Sequence, residues 1–366
     1  MNFLKLFTLC MILLINGCQT QERNIEVEKE NEAEAVLEEN TEEEAPQSDT
    51  LHTLAIDITA DDVLFDLDDF LKKIDGSYQY DEMNRTLKIF VNKDEYALIE
   101  GVNVLERNGE FLATDEIYFE VTDNGNIIMP VEFLDKGLQL PIKFGNSNVS
   151  FDWYGPTEKV GGPPESFNFE EWDVEKMVEY LSFLESPIKN AEVSTVSSHL
   201  PGAPRDYRNG FHEGIDWYDF ASGGDINTET PIYAMAEGIV VRADHDYIEY
   251  ESPEKREVDL TVTAELGETP EYIFDRLRGR QVWVQYPNGV MNRFAHLHDI
   301  PENIKVGDRV NAETVIGFVG NSGTSSAVNQ DLTGLHLHQD LLIYGELFWK
   351  PLSQEEIREV LIRIWN

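Results

Sequence analysis

Two His-Leu-His triplets carry the densest potential for chemistry in this sequence, His296-Leu297-His298 in RFAHLHDI and His336-Leu337-His338 in GLHLHQDLLIY. The chain has only eight histidines in 366 residues, and all but His52 lie beyond residue 198. On a strand, residues two apart share a face, so His336 and His338 would look into one cleft while Leu335 and Leu337 face the core. The same reasoning applies to His296 and His298, so periodicity alone does not rank the triplets. FHEGIDWY adds His212 and Asp216, separated by a glycine that lets the backbone turn tightly. A histidine and a carboxylate are good zinc ligands. By itself this spacing is common, and a surface histidine beside an acid is its default reading.

The elements that must position these groups are short Val/Ile/aromatic runs: PIYAMA, GIVVRA, RQVWVQY, NRFAHLH, VIGFVG and GLHLHQDLLIY. They predict a mostly antiparallel β segment. In order along it stand His212-Glu213-Gly214-Ile215-Asp216, Ala295-His296-Leu297, Gly320-Asn321-Ser322-Gly323-Thr324 and His336-Leu337-His338. This ordered set resembles the lysostaphin/LytM-type zinc endopeptidases, which cut peptidoglycan cross-links. The resemblance covers roughly residues 199 to 350 and extends to PIYAMAEGIVV and VGDRVNAETVIGFVGNSG.

Carried over by position, the resemblance implies that His212, Asp216 and His338 bind one Zn2+ and that His296 and His336 are a catalytic pair. Tyr207, upstream of the first motif, would give oxyanion support, against the plainer reading of a packed aromatic. His298 has no family role and reads as a solvated histidine or one behind the ligands. Two imidazoles and a carboxylate leave a fourth tetrahedral position for water, whose pKa zinc lowers towards ~7. One neutral imidazole could take the proton while the other stabilises the oxyanion and helps the leaving amine, in an order the sequence leaves open. Two departures stand out. The loop SGTSSAVNQDLTGL is long and ends in Leu335 where the family commonly has proline, and residues 245–279 separate two strands that would otherwise form a hairpin. In that insertion TPEYIFDRLRGR reads as a helix with Thr269 as cap and Pro270 in first position, a wall of the cleft.

The formal charge of −42 repels phosphate backbones, so nucleic acid is set aside as a partner. The opening MNFLKLFTLCMILLINGCQT suits a secretion signal, and Ile15-Asn16-Gly17-Cys18 resembles the bacterial lipoprotein box. A lipid on Cys18 would anchor the protein to the outer face of the cell membrane. Asn16 is unusual there, and an uncleaved anchor is the alternative. With Cys10 lost and Cys18 lipidated, no cysteine remains for a disulfide. Residues 18–50 are Glu-rich and poor in aromatics, an acidic tether that cannot bury enough surface to fold.

Residues 51–153 alternate short apolar runs with turns such as DGS, RNGE and TDNGN. FLKKIDGSYQYDEMNRTLKIFV and FLDKGLQLPIKFGNSNVSF echo each other as helix-plus-hairpin units. This region resembles the stalk domain related to the N-terminal domain of copper amine oxidases, with wall binding or spacing as its expected role. Residues 154–198 link it onward through a helix bearing Trp172, Met177, Leu181 and Leu184. Ser353 and Glu356 form a capping-box signature for a terminal helix at 351–366. The expected whole is an α+β chain: signal at 1–17, tether, stalk, linker and an antiparallel peptidase domain at 199–350. A different reading is a catalytically silent wall-binding or regulatory protein with structural zinc; retention of His296 and His336 speaks against it.

Overall fold

The computed structural model describes residues 50–60, 62–155, 158–206 and 210–365. The apolar leader, Cys18, the Glu-rich run to residue 49 and Tyr207 lie outside the described residues.

In residues 51–153 the sequence echo is a structural repeat. The helix Leu67–Ile74 is capped by Asp66, whose carboxylate accepts from Asp69 N at 3.0 Å. It feeds the hairpin Ser77–Asp81 with Thr86–Val91. The second copy runs from a single π-helical turn, Phe133–Gly137, into the hairpin Ile142–Phe144 with Asn148–Asp152. Phe70 and Phe133, one from each helical turn, meet edge to face at 6.4 Å. Leu54, Leu87, Phe119 and Phe151 complete this core. Each such side chain withdrawn from water contributes about 1.5–3 kcal/mol.

The C-terminal part is built on an antiparallel sheet with strand order Ile215–Trp217, Leu337–Ile343, Val290–Ala295, Val282–Gln285, Gly238–Ala243, Arg309–Val310. The His338 strand is thus flanked on one side by the Asp216 strand and on the other by the strand leading to His296. Leu337, Leu341 and Ile343 point to one face and share a core with Trp217, Phe294 and Val284. Two helices close that core, Val174–Leu181 through Met177 and Leu181, and Gln354–Trp365 through Ile357, Val360 and Leu361. Arg363 joins them by donating to both Glu175 oxygens at 2.7 and 2.8 Å. The linker helix is shorter than its apolar spacing implies: Trp172 precedes it and Leu184 follows it, both still packed on the core. The Ser353/Glu356 capping box forms, with Ser353 N donating to Glu356 Oε2 at 2.8 Å and Glu356 N to Ser353 Oγ at 3.4 Å.

The strands GIVVRA and RQVWVQY pair as a hairpin despite the long excursion between them. That excursion holds two helices, Pro253–Leu266 and Glu271–Arg278. The second begins one residue later than expected, with Pro270 itself at the cap and no side-chain capping bond. The first is not legible in apolar spacing because its buried positions are the polar Asp259 and Thr263. Its ends mark it instead: Ser252 accepts from Lys255 N, Pro253 opens it and Gly267 closes it.

The described residues, from 50 to 365, belong to one compact unit. The repeat region is seated on the sheet face that also carries His338: Val102, Val104 and Phe111 bury against Val241, Trp283, Met291 and Leu342. Phe111 meets Trp283 edge to face at 5.2 Å, and its N–H donates to Gln285 Oε1 at 2.9 Å. Gly109, at φ +87°, makes the approach possible, since a Cβ there would lie 2.6 Å from the Tyr344 carbonyl oxygen. Arg85 also lies 4.3 Å over the ring of Tyr272 in the insertion.

Candidate metal centre

Sheet register brings the candidate ligands together. Asp216 pairs directly with His338 across the antiparallel ladder, so both side chains rise from the same face. His212 precedes Asp216 by one short turn, and its N–H donates to Ala203 O at 2.7 Å. Gly214 between them is needed for close approach, and not for a positive φ: a Cβ would sit 2.3 Å from Gln339 O.

The three donor atoms form a tight triangle. His212 Nε2 lies 3.0 Å from Asp216 Oδ1 and 3.1 Å from His338 Nδ1, and His338 Nδ1 lies 2.9 Å from Asp216 Oδ1. Ligands bound tetrahedrally at zinc–nitrogen and zinc–oxygen lengths stand about 3.3 Å apart, so the set fits one small divalent ion. The opposite ring atoms are tied down. His212 Nδ1 faces Leu200 O at 3.2 Å, and His338 Nε2 faces Asp340 Oδ1 at 2.8 Å. Such outer partners fix the ring and raise its basicity. Arg205 Nη2 donates to the second Asp216 oxygen at 3.3 Å, and Arg278 Nε donates to Asp340 Oδ2 at 2.8 Å.

The electrostatics follow from burial and these partners. Burial opposes charge on Asp216, yet the His212 and His338 rings hold its carboxyl well below the usual carboxylate range. Burial also works against a charged His338, but Asp340 and Asp216 outweigh it and push that imidazole up to about 9. A cation would take the place of that proton.

His296 and His336 stand beside the triangle. Their ring centroids are 4.7 Å apart, and His296 is 5.6 Å from His338. His336 Nε2 lies 3.7 Å from Asp216 Oδ1. Each ring is anchored through Nδ1 to a backbone carbonyl, His296 to Ser322 at 2.7 Å and His336 to Gly334 at 2.8 Å, which leaves Nε2 as the reactive atom. Burial holds His296 well below, and His336 below, the ordinary imidazole value, so both are neutral near pH 7.

The pleat argument holds for one triplet and fails for the other. His336 and His338 share a face as expected, with Leu337 in the core and Leu335 half-buried. His296 instead leaves its strand at φ +60°, and His298 is exposed to solvent. Sequence reasoning also passed over Asp340, although the same two-residue period places it behind His338. Nothing local marks Tyr218, which stacks on His336 at 4.2 Å and 11° and fixes its ring plane. Of the expected site residues, only Tyr207 lies outside the described ones.

An antiparallel sheet that presents a His/Asp/His triangle under a flanking histidine pair defines a metallopeptidase-like domain. Residues 210–348 match the model of peptidase family M23, so the C-terminal part carries the fold of that family. Among solved structures, the chain is similar to the catalytic domain of lysostaphin from Staphylococcus simulans, at 22% identity over 43% of this chain and 82% of that one, TM-score 0.25. A zinc-containing peptidase from Vibrio cholerae matches at 13% identity over 74% and 83%, TM-score 0.30. The SpoIIQ–SpoIIIAH pore-forming complex matches at 17% over 45% and 85%, TM-score 0.28. At these scores none adds weight to the family match. No curated protein matches the chain significantly.

Proposed function

We propose that this chain is an exported, membrane-anchored zinc metalloendopeptidase that hydrolyses peptide cross-links of bacterial peptidoglycan. The observation that carries the reading is the combination of the 2.9–3.1 Å triangle His212/Asp216/His338 with two further neutral imidazoles, His296 and His336. A purely structural zinc site has no need of that second pair. The repeat region would serve as the stalk, and a lipid on Cys18 as the anchor. Among the described residues no helix is long and apolar enough to cross a membrane.

His212, Asp216 and His338 would hold one Zn2+, which when bound supplies Lewis acidity to the scissile carbonyl and acidity to its water. The chain's own groups do the rest. Asp340 and the Leu200 carbonyl keep the two ligand rings in the tautomers that turn a lone pair inward. Neutral His336, held by Tyr218 and the Gly334 carbonyl, and neutral His296, held by the Ser322 carbonyl, each present an Nε2 lone pair; the ring that accepts the proton from water becomes the imidazolium that would donate towards oxyanion and leaving amine.

The test is incubation of the purified full chain with peptidoglycan, with and without chelator, beside His338→Ala. Release of peptide fragments that survives both treatments refutes this mechanism. Bound zinc with no hydrolysis of any wall fraction would favour the silent, regulatory alternative.

A further inference from the structure

Three arginines line the cleft over the metal centre, Arg205, Arg256 and Arg278. Two are already committed. Arg205 donates to Ser198 O and Asp216, and Arg278 donates to Asp340. Arg256, on the insertion helix Pro253–Leu266, differs. Its Nε donates to Gly323 O at 2.9 Å, and no carboxylate among the described residues pairs with its Nη atoms. In a chain of net charge −42, a half-buried guanidinium facing a cleft without an acidic partner is out of keeping with its neighbours. Arg242 and Arg276, nearby, are both paired with aspartates.

The placement of Arg256 is built. Gly323 N donates to Glu249 Oε2 at 2.8 Å while Gly323 O accepts from Arg256, so the insertion grips this one residue through both of its backbone polar groups. The residue before it, Ser322, supplies the carbonyl that orients His296. With Nε engaged, the end-on fork of Nη1 and Nη2 is what remains, and its geometry matches a carboxylate bidentately. Sheet order puts Arg256 on the His296 side of the His338 strand, opposite the His212 side.

We propose that Arg256 is the anchor for a free carboxylate of the substrate, on the His296 side of the scissile amide, and that it selects peptides carrying such a carboxylate over their amidated counterparts. This rests on the peptidase reading above and adds to it a substrate class.

The experiment uses the full chain and soluble cross-linked muropeptides, either untreated or converted to carboxamides with carbodiimide and ammonia. Hydrolysis is measured as kcat and KM, and binding to the same muropeptides is measured by calorimetry. The wild type is expected to favour the untreated peptides by about tenfold or more in kcat/KM. Arg256→Gln should abolish that preference mainly through KM, and Arg256→Lys should retain part of it. Glu249→Gln, which loosens Gly323 without touching the fork, should slow both peptides by one common factor. Absence of a preference in the wild type, or an equal loss on both peptides in Arg256→Gln, overturns the proposal and leaves Arg256 as a strut for Gly323. If the wild type hydrolyses neither peptide, the enzymatic reading fails, and the calorimetry then decides the carboxylate site. Tighter binding of the untreated peptide that Arg256→Gln removes supports it, and equal binding sinks it.

Discussion

His338 and Asp340 stand two residues apart on one face of the central strand, and the Asp340 carboxylate meets His338 Nε2 at 2.8 Å behind the metal triangle. Asp340 is fully buried and is itself held by Arg278 Nε. Asp340→Asn should therefore weaken zinc affinity about 10–100-fold, read by competition with a chelating dye. It should also destabilise the fold by about 3 kcal/mol, because Arg278 is left as a buried charge without its counterion.

The low basicity of the flanking pair fixes the sign of the pH response. Burial depresses His296 and His336 below the ordinary imidazole value of 6.5, so their neutral forms persist below that pH. A nearby metal cation acts in the same direction. The acid limb of kcat should fall below pH 6.5. A limb centred at 6.5 or above would show that another group, such as metal-bound water, sets it in place of either imidazole.

The seat of the repeat region on the sheet depends on one aromatic contact and one close approach. Phe111→Ala should cost about 3–5 kcal/mol by removing the ring packed on Trp283. Gly109→Ala should cost more than about 1 kcal/mol, since the left-handed φ and the 2.6 Å approach to Tyr344 O both exclude a Cβ. Calorimetry is expected to resolve the single wild-type transition into two in Phe111→Ala; a single unshifted transition would mean the interface contributes nothing to stability.

At the C-terminus, Ser353→Ala removes the capping hydroxyl while leaving the backbone contact to Glu356. A loss of about 1 kcal/mol is expected in denaturant titration. Because the capped helix closes the core behind the His338 strand, the loss should appear in the main unfolding transition.

Much of the site was open to reading because its signals are local. A strand has a side-chain period of two, so the alternation in HLHQD places His336, His338 and Asp340 on one face and Leu337 and Gln339 on the other. The Ser353/Glu356 box and the paired helix-plus-hairpin units are equally local. The helix Pro253–Leu266 escaped notice because it buries Asp259 and Thr263 instead of an apolar stripe. His296 was misplaced on a strand because its left-handed backbone is imposed by its surroundings: its N–H donates to Arg278 O and its ring is tied to Ser322 O.

By itself the sequence determined which residue types are available, their alternation along each strand and the composition of each segment, because these follow from order and local geometry. Only the tertiary structure decided that Asp216 faces His338 across a ladder, that Tyr218 stacks on His336 and that the insertion grips Gly323 beside His296. It alone also decided that Phe111 buries against Trp283. Each of these joins side chains far apart in the chain, and such contacts are set by packing and sheet register, which no short window of residues encodes.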